Sequence, residues 1–150
     1  MQGTTAAKRA RAFMTIPKLL PILSLFLLLS CSSDELRPRI PDVPVSEQIN
    51  LQSQLYNRLR QDGGYVYLQA GYKGIILIRQ GSSYLAFEQT CPYDPSTSCK
   101  VEAHESNLYL IDNCCGSQYN FQGGVMAGPT VYGLKQYNTS LSGSILYVTN

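Results

Sequence analysis

The sequence predicts an all-β fold: a small antiparallel sandwich or barrel of short strands, with two cysteine loops at one end. Three observations predict it. From residue 45 onward, strand-like runs of about four to six residues alternate with Gly-rich turns. Eleven tyrosines, twelve glycines and no tryptophan suit pleated, half-buried surfaces joined by tight turns. No long helical period and no internal repeat interrupts the pattern.

The elements follow in order. Val45–Leu51 alternates loosely and reads as a first strand. Leu55, Tyr56 and Leu59 are spaced for one short helical turn, ended by Asp62-Gly63-Gly64. Tyr65–Leu68 is strand-like, and Gly71–Gly74 is a turn. Ile75–Ile78 is a short apolar run rich in β-branching, which favours a buried strand. Gln80–Ser83 turns the chain into a strand at Tyr84–Glu88. A first loop follows, with Cys91-Pro-Tyr93-Asp94-Pro95 and Cys99. Val101–Ala103 and Leu108–Ile111 form a hairpin about His104–Asn107. The second loop, Asn113-Cys114-Cys115-Gly116-Ser117-Gln118-Tyr119, comes next. Gly123-Gly124 reads as a hairpin turn. Leu134–Tyr137 and Ile145–Val148 close the domain. The hairpin between the two loops would set them side by side.

The chain before residue 45 has a different composition. Residues 1–18 are polar and basic, and Leu19–Leu29 is an apolar run followed by Ser30 and Cys31. The run is shorter than the ~20 residues of a membrane-spanning helix and has the layout of a secretory signal. Met14, with Lys18 after it, could also serve as the start. Leu28-Leu29-Ser30-Cys31 resembles a bacterial lipobox, with Leu29 where a smaller residue is usual. The resemblance implies a signal peptide over 1–30 and a mature chain beginning at a lipidated Cys31. It also implies a place in the bacterial cell envelope, anchored by acyl chains to the outer membrane on its periplasmic or surface face. Residues 31–44, with three prolines in Ser32–Pro44, read as an extended tether. Ser33-Asp34-Glu35 also resembles an acidic export tag of surface lipoproteins. The domain proper is then 45–150.

Charge narrows the partners. Lys8, Arg9, Arg11 and Lys18 precede Cys31 and all ten acids follow it, so the rest of the chain holds eight basic and ten acidic residues, a net of −2. No basic patch remains to bind nucleic acid. No Ser/His/Asp set, acid–base carboxylate pair or phosphate-cradling loop marks an enzyme, so no catalytic residue is expected.

From the first loop onward, the order and spacing of motifs resemble the Rieske family over roughly 45–150. The shared features are a Cys-x-x loop, a hairpin, Cys115-Gly116-Ser117-Gln118-Tyr119, a Gly-Gly turn, Gly128-Pro129 and Leu134-x-x-Tyr137. In that family the Ser and Tyr corresponding to Ser117 and Tyr119 hydrogen-bond to cluster sulfurs. The ligands do not carry over. A Rieske centre takes two cysteines on one iron and two histidines on the other. The corresponding positions here are Cys91, Tyr93, Asp112 and Cys115, so one ligand of four is retained. The single histidine, His104, matches no ligand position. A conventional 2Fe–2S cluster is therefore not expected, and no metal or other cofactor is assigned.

Four cysteines besides Cys31 allow three pairings, or a four-thiolate metal site. An exported domain favours disulfides. Pairing Cys114 with Cys115 needs a strained eight-membered ring. The Rieske resemblance implies Cys99–Cys114 and leaves Cys91 with Cys115; Cys91–Cys114 with Cys99–Cys115 stays open. The expected function is a non-catalytic envelope lipoprotein, held by disulfides and structural or partner-binding, its partner an envelope protein. The alternative is a divergent 2Fe–2S electron carrier with non-standard ligands. A thiol–disulfide module at Cys114-Cys115 is weaker, lacking C-x-x-C on a helix.

Overall fold

The computed structural model describes residues 39–150. The expected signal peptide over 1–30, the lipid-bearing Cys31 and the tether up to residue 38 lie outside the described residues. The strands are β1 (Ser46–Asn50), β2 (Tyr65–Leu68), β3 (Ile75–Gln80), β4 (Ser83–Glu88), β5 (Val101–Ala103), β6 (Leu110–Asp112), β7 (Gln118–Tyr119), β8 (Val125–Ala127), β9 (Gln136–Ser142) and β10 (Ile145–Thr149). They form two sheets: a six-stranded one in the order β1-β10-β9-β4-β3-β2 and a four-stranded one in the order β5-β6-β7-β8. Every pairing is antiparallel. The all-β expectation holds; the first cysteine loop passes from the larger sheet to the smaller, and the second lies within the smaller.

β3 explains why Ile75–Ile78 shows no alternation. Ile75 and Leu77 pack into one apolar cluster with Ile49, Leu59, Ala86, Tyr137, Leu146 and Val148. Ile76 and Ile78 pack on the other side with Phe87, Cys91, Val101, Leu110, Tyr119 and Leu134. A strand buried on both faces must be apolar at every position. Each such side chain contributes roughly 1.5–3 kcal/mol by leaving water.

The expected helical turn is a 3-10 helix over Gln54–Arg60 that buries Leu59. Ser53 Oγ accepts from the Leu55 amide at 3.3 Å, and the Arg79 guanidinium donates to the carbonyls of Leu59 (3.3 Å) and Arg60 (2.9 Å). Both ends of this short helix are thereby satisfied.

Several boundaries differ from expectation. The strand expected at Leu134–Tyr137 begins only at Gln136. Leu134 instead plugs the second cluster, its N–H bonded to the Gly123 carbonyl at 2.9 Å. The strand expected from Leu108 starts at Leu110, because Leu108 is 76 % exposed and Asn107 takes φ 54°. Here the His104 amide reaches the Tyr109 carbonyl and widens the turn. β7 and β8 were not expected.

The tether was expected to run to Pro44, yet the chain is tied to the domain from Asp42. Lys135 Nζ lies 2.7 Å from Asp42 Oδ1, and Asn150 Nδ2 donates to Asp42 Oδ1 (3.0 Å) and the Val43 carbonyl (3.1 Å). The Lys135 hydrogen bond and charge hold the Asp42 carboxyl below its ordinary 3.8. A depressed carboxylate pKa stabilises the fold above its unfolded value, and that contribution is lost as pH falls through the folded one. An NMR titration should place Asp42 below 3.8, and Lys135→Ala should move it upward. An unchanged midpoint in the variant would mean that the ion pair does not hold this segment.

Candidate functional site: two cysteine loops on one hairpin

Loop one joins β4 to β5 and loop two joins β6 to β7. Val101 pairs with Asp112 across the β5–β6 hairpin, so the loops leave from a common root. The second loop is wound around Asp112. Its Oδ1 accepts from the amides of Cys114 (2.8 Å) and Cys115 (3.2 Å), and its carbonyl accepts from Gly116 N–H at 2.8 Å. Asp112 N–H donates to the Ser117 carbonyl at 2.9 Å. This is the Asx-type turn chemistry for which aspartate is suited. It gives Asp112 a structural job at the position where the resemblance expected a cysteine ligand.

Gly116 and Gly128 make the tight path possible. Gly116 has φ +74°, and a Cβ on Gly128 (φ +95°) would fall 2.5 Å from the Ser117 Cα. The Gly128-Pro129 segment therefore lies directly against the second loop. In the first loop, Asp94 Oδ1 accepts from Ser96 N–H (3.0 Å) and Ser96 Oγ (2.6 Å). The Ser96 hydroxyl, then its amide, lowers the Asp94 pKa.

The four sulfurs sort into an outer and an inner pair. Cys99 and Cys114 form a disulfide, with Cα atoms 6.2 Å apart. Cys114 is exposed and Cys99 half-buried, so this bridge lies at the surface. Cys91 and Cys115 are free thiols. Their sulfurs are 3.5 Å apart, Cys91 buried and Cys115 partly exposed. Cys91 Sγ is 3.2 Å from Tyr119 Oη, and the Cys115 thiol donates to Ser117 Oγ at 3.1 Å. Burial raises the Cys115 thiol pKa, against the lowering effect of Ser117. Burial first, then the Cys91 sulfur, pushes the Tyr119 phenol far above the ordinary tyrosine range.

The pairing implied by the resemblance is thus present at Cys99–Cys114. The second bridge, Cys91–Cys115, is not formed. Each inner sulfur has its own hydroxyl partner, and a disulfide bond of about 2.05 Å would need a much closer approach. Ser117 and Tyr119 are fully buried, their hydroxyls set against the inner pair of sulfurs. Tyr93 is 53 % exposed. His104, read from the sequence as part of the hairpin turn, is half-buried; its ring stacks on Tyr109 at 4.3 Å, and its Nδ1 lies 2.9 Å from Ser106 Oγ.

The residues present do not fit a Rieske cluster. Cys91 and Cys115 occupy positions that would serve different irons, yet their sulfurs are in contact at 3.5 Å, which leaves no room for a diiron unit between them. Asp112 spends one oxygen on backbone amides, and the two positions that would require histidine hold Tyr93 and Cys115.

A further buried group was not singled out from the sequence. Glu88, at the end of β4, is fully buried. It accepts from the amides of Tyr72 (2.8 Å) and Lys73 (2.9 Å), from Thr90 Oγ1 (2.9 Å) and from Tyr137 Oη (2.8 Å). Burial first, then the Glu88 carboxylate, raises the Tyr137 phenol pKa. Glu88 thus ties the Gly71–Gly74 turn to the residue preceding Cys91. Its only sequence signal is an acid ending an apolar strand.

In fold, loop order and motif spacing the domain resembles those of the Rieske family, without the Rieske ligand set. No family model matches the chain, and no curated protein matches it. Among solved structures it is similar to the plasma membrane Rieske protein PetC3 of the cyanobacterium Synechocystis PCC 6803, at 22 % identity over 57 % of this chain and 85 % of that one, with a TM-score of 0.48. It is also similar to the ferredoxin of carbazole 1,9a-dioxygenase from Nocardioides aromaticivorans IC177, at 16 % identity over 71 % of this chain and 96 % of that one, with a TM-score of 0.46.

Proposed function

We propose that this chain is a non-catalytic lipoprotein of the bacterial cell envelope, whose Rieske-like loops serve as a disulfide-fastened scaffold for contact with an envelope protein. The observation that carries this reading is the Cys99–Cys114 bridge, which ties the two loops together where the resemblance would require a ligand set. Disulfides persist in oxidising compartments, which agrees with the lipobox-like Leu28–Cys31. Acyl chains on Cys31 would supply the membrane attachment. No helix among the described residues is long and apolar enough to cross a membrane.

The test is to purify the full chain aerobically in detergent, then record its visible spectrum, iron content and disulfide map. The expected result is iron-free protein with Cys99 joined to Cys114 and acyl chains on Cys31. Stoichiometric iron with charge-transfer bands would replace this reading with an electron carrier using non-standard ligands. An unmodified Cys31 would remove the lipid anchor from it.

A further inference from the structure

We infer that Cys91, Cys115 and Asp112 form a mononuclear site for one thiophilic divalent cation of the zinc class, with a fourth position left to water. The site goes beyond the scaffold reading and does not rest on it.

Geometry is the first argument. The ligand atoms of these three residues all lie within 4.8 Å of one another. The 3.5 Å between the two sulfurs is the informative distance. Two zinc–thiolate bonds of about 2.3 Å at a tetrahedral angle set their sulfurs about 3.8 Å apart. A linear two-thiolate ion would need about twice a bond length, roughly 4.6 Å. The observed spacing is thus close to a tetrahedral bite and well short of a linear one.

Chemistry is the second argument. Two thiolates and a carboxylate suit zinc, and three protein ligands with an open fourth position is a common zinc arrangement. Binding releases the two thiol protons to solvent, and the cation offsets most of the resulting negative charge. Asp112 is already oriented, since the Cys114 and Cys115 amides grip its Oδ1, and an ionised carboxylate keeps further acceptor positions for a metal. Tyr119 Oη and Ser117 Oγ stand 3.2 and 3.1 Å from the two sulfurs, placed to donate to them once they are thiolates. Such outer partners hold metal ligands in position.

The outer disulfide is the third argument. Cys99, Asp112 and Cys114 form a second close group around the same carboxylate. Its sulfurs are consumed in the bridge, so among the described residues Cys91 and Cys115 are the cysteines that remain available. Cys91 and Asp112 are each 1 % exposed, and the partly exposed Cys115 offers the route of entry.

The experiment uses the full chain in detergent, purified anaerobically and titrated with cobalt(II) as a spectroscopic substitute for zinc. One equivalent should give thiolate-to-cobalt charge-transfer bands and protect Cys91 and Cys115 from alkylation, and zinc should displace it. Cys115→Ser should abolish the bands, while Cys115→His, which restores a zinc ligand, should recover binding. Tyr119→Phe should weaken cobalt binding by roughly 10- to 100-fold. The site is refuted if the wild-type chain shows neither bands nor protection, or if the bands persist in Cys115→Ser. Isolation of the anaerobic chain with Cys91 and Cys115 joined as a disulfide would refute it as well. Iron content decides the scaffold reading, and the cobalt titration decides this one.

Discussion

Glu88→Ala should lower stability by about 3–5 kcal/mol, the range for removing one partner from a buried charged network. The carboxylate is fully buried and receives four hydrogen bonds, from two backbone amides, Thr90 and Tyr137. Truncation leaves those donors facing one another without an acceptor, each at a cost of about 1–3 kcal/mol if it stays dry. Glu88→Gln should cost less, because one oxygen survives, but its amide group would point hydrogens at donors. Gly71→Ala should be damaging for the same reason from the other side. Its Cβ would sit 2.6 Å from Glu88 Oε2 at φ +76°. Urea unfolding with a common slope measures the effect. In Glu88→Ala the Cys91 thiol should also alkylate faster, because Thr90 has lost its anchor. A midpoint equal to that of wild type would show that the four donors are not held dry.

Loss of the outer bridge is the second large effect. Cys99→Ser with Cys114→Ser should destabilise the domain by about 3 kcal/mol, the chain-entropy estimate for a loop of this length; the sequence separation is 15. The bridge lies near the surface, so its removal leaves no core cavity to add to that figure. For a domain of this size the midpoint of thermal unfolding should fall by roughly 12 °C or more. Reductant should shift the wild-type midpoint by a similar amount and leave the double variant unmoved. Equal melting of wild type and double variant would show that the bridge does not constrain the unfolded chain.

Much of this architecture was legible because local chemistry and tertiary placement agree. Ile75–Ile78 is apolar at consecutive positions, and a strand covered on both faces demands that. Gly123 reads as a turn residue and is one, and its missing side chain also admits the Phe87 ring, which would lie 2.5 Å from a Cβ. The loop motifs anticipated the Cys99–Cys114 bridge and brought Cys91 beside Cys115. They did not anticipate two free thiols, because whether neighbouring sulfurs join depends on how closely the fold brings them, here 3.5 Å, and on the hydroxyls of Tyr119 and Ser117 beside them. β7 and β8 escaped notice because strands of two and three residues show no period. Glu88 escaped because its partners Tyr72, Lys73 and Tyr137 are remote in sequence or bind through backbone, and only the folded sheet gathers them.

The shared root of the two loops bears on how such a domain can change over evolutionary time. Val101 faces Asp112 in register, so the hairpin works as a hinge pin through which both loops must pass. Between Asp112 and Ser117, Cys114 is held by the bridge, Cys115 by Asp112 and Ser117, and Gly116 by its positive φ, so an insertion there would displace Cys114 and Cys115 together. The other loop has slack. Ser96 and Ser98 are exposed, and residues added between Asp94 and Cys99 would lengthen the path without moving the pin. Variation in length is thereby channelled to one side of the pair, and new recognition surface can grow on the first loop while the second keeps its shape.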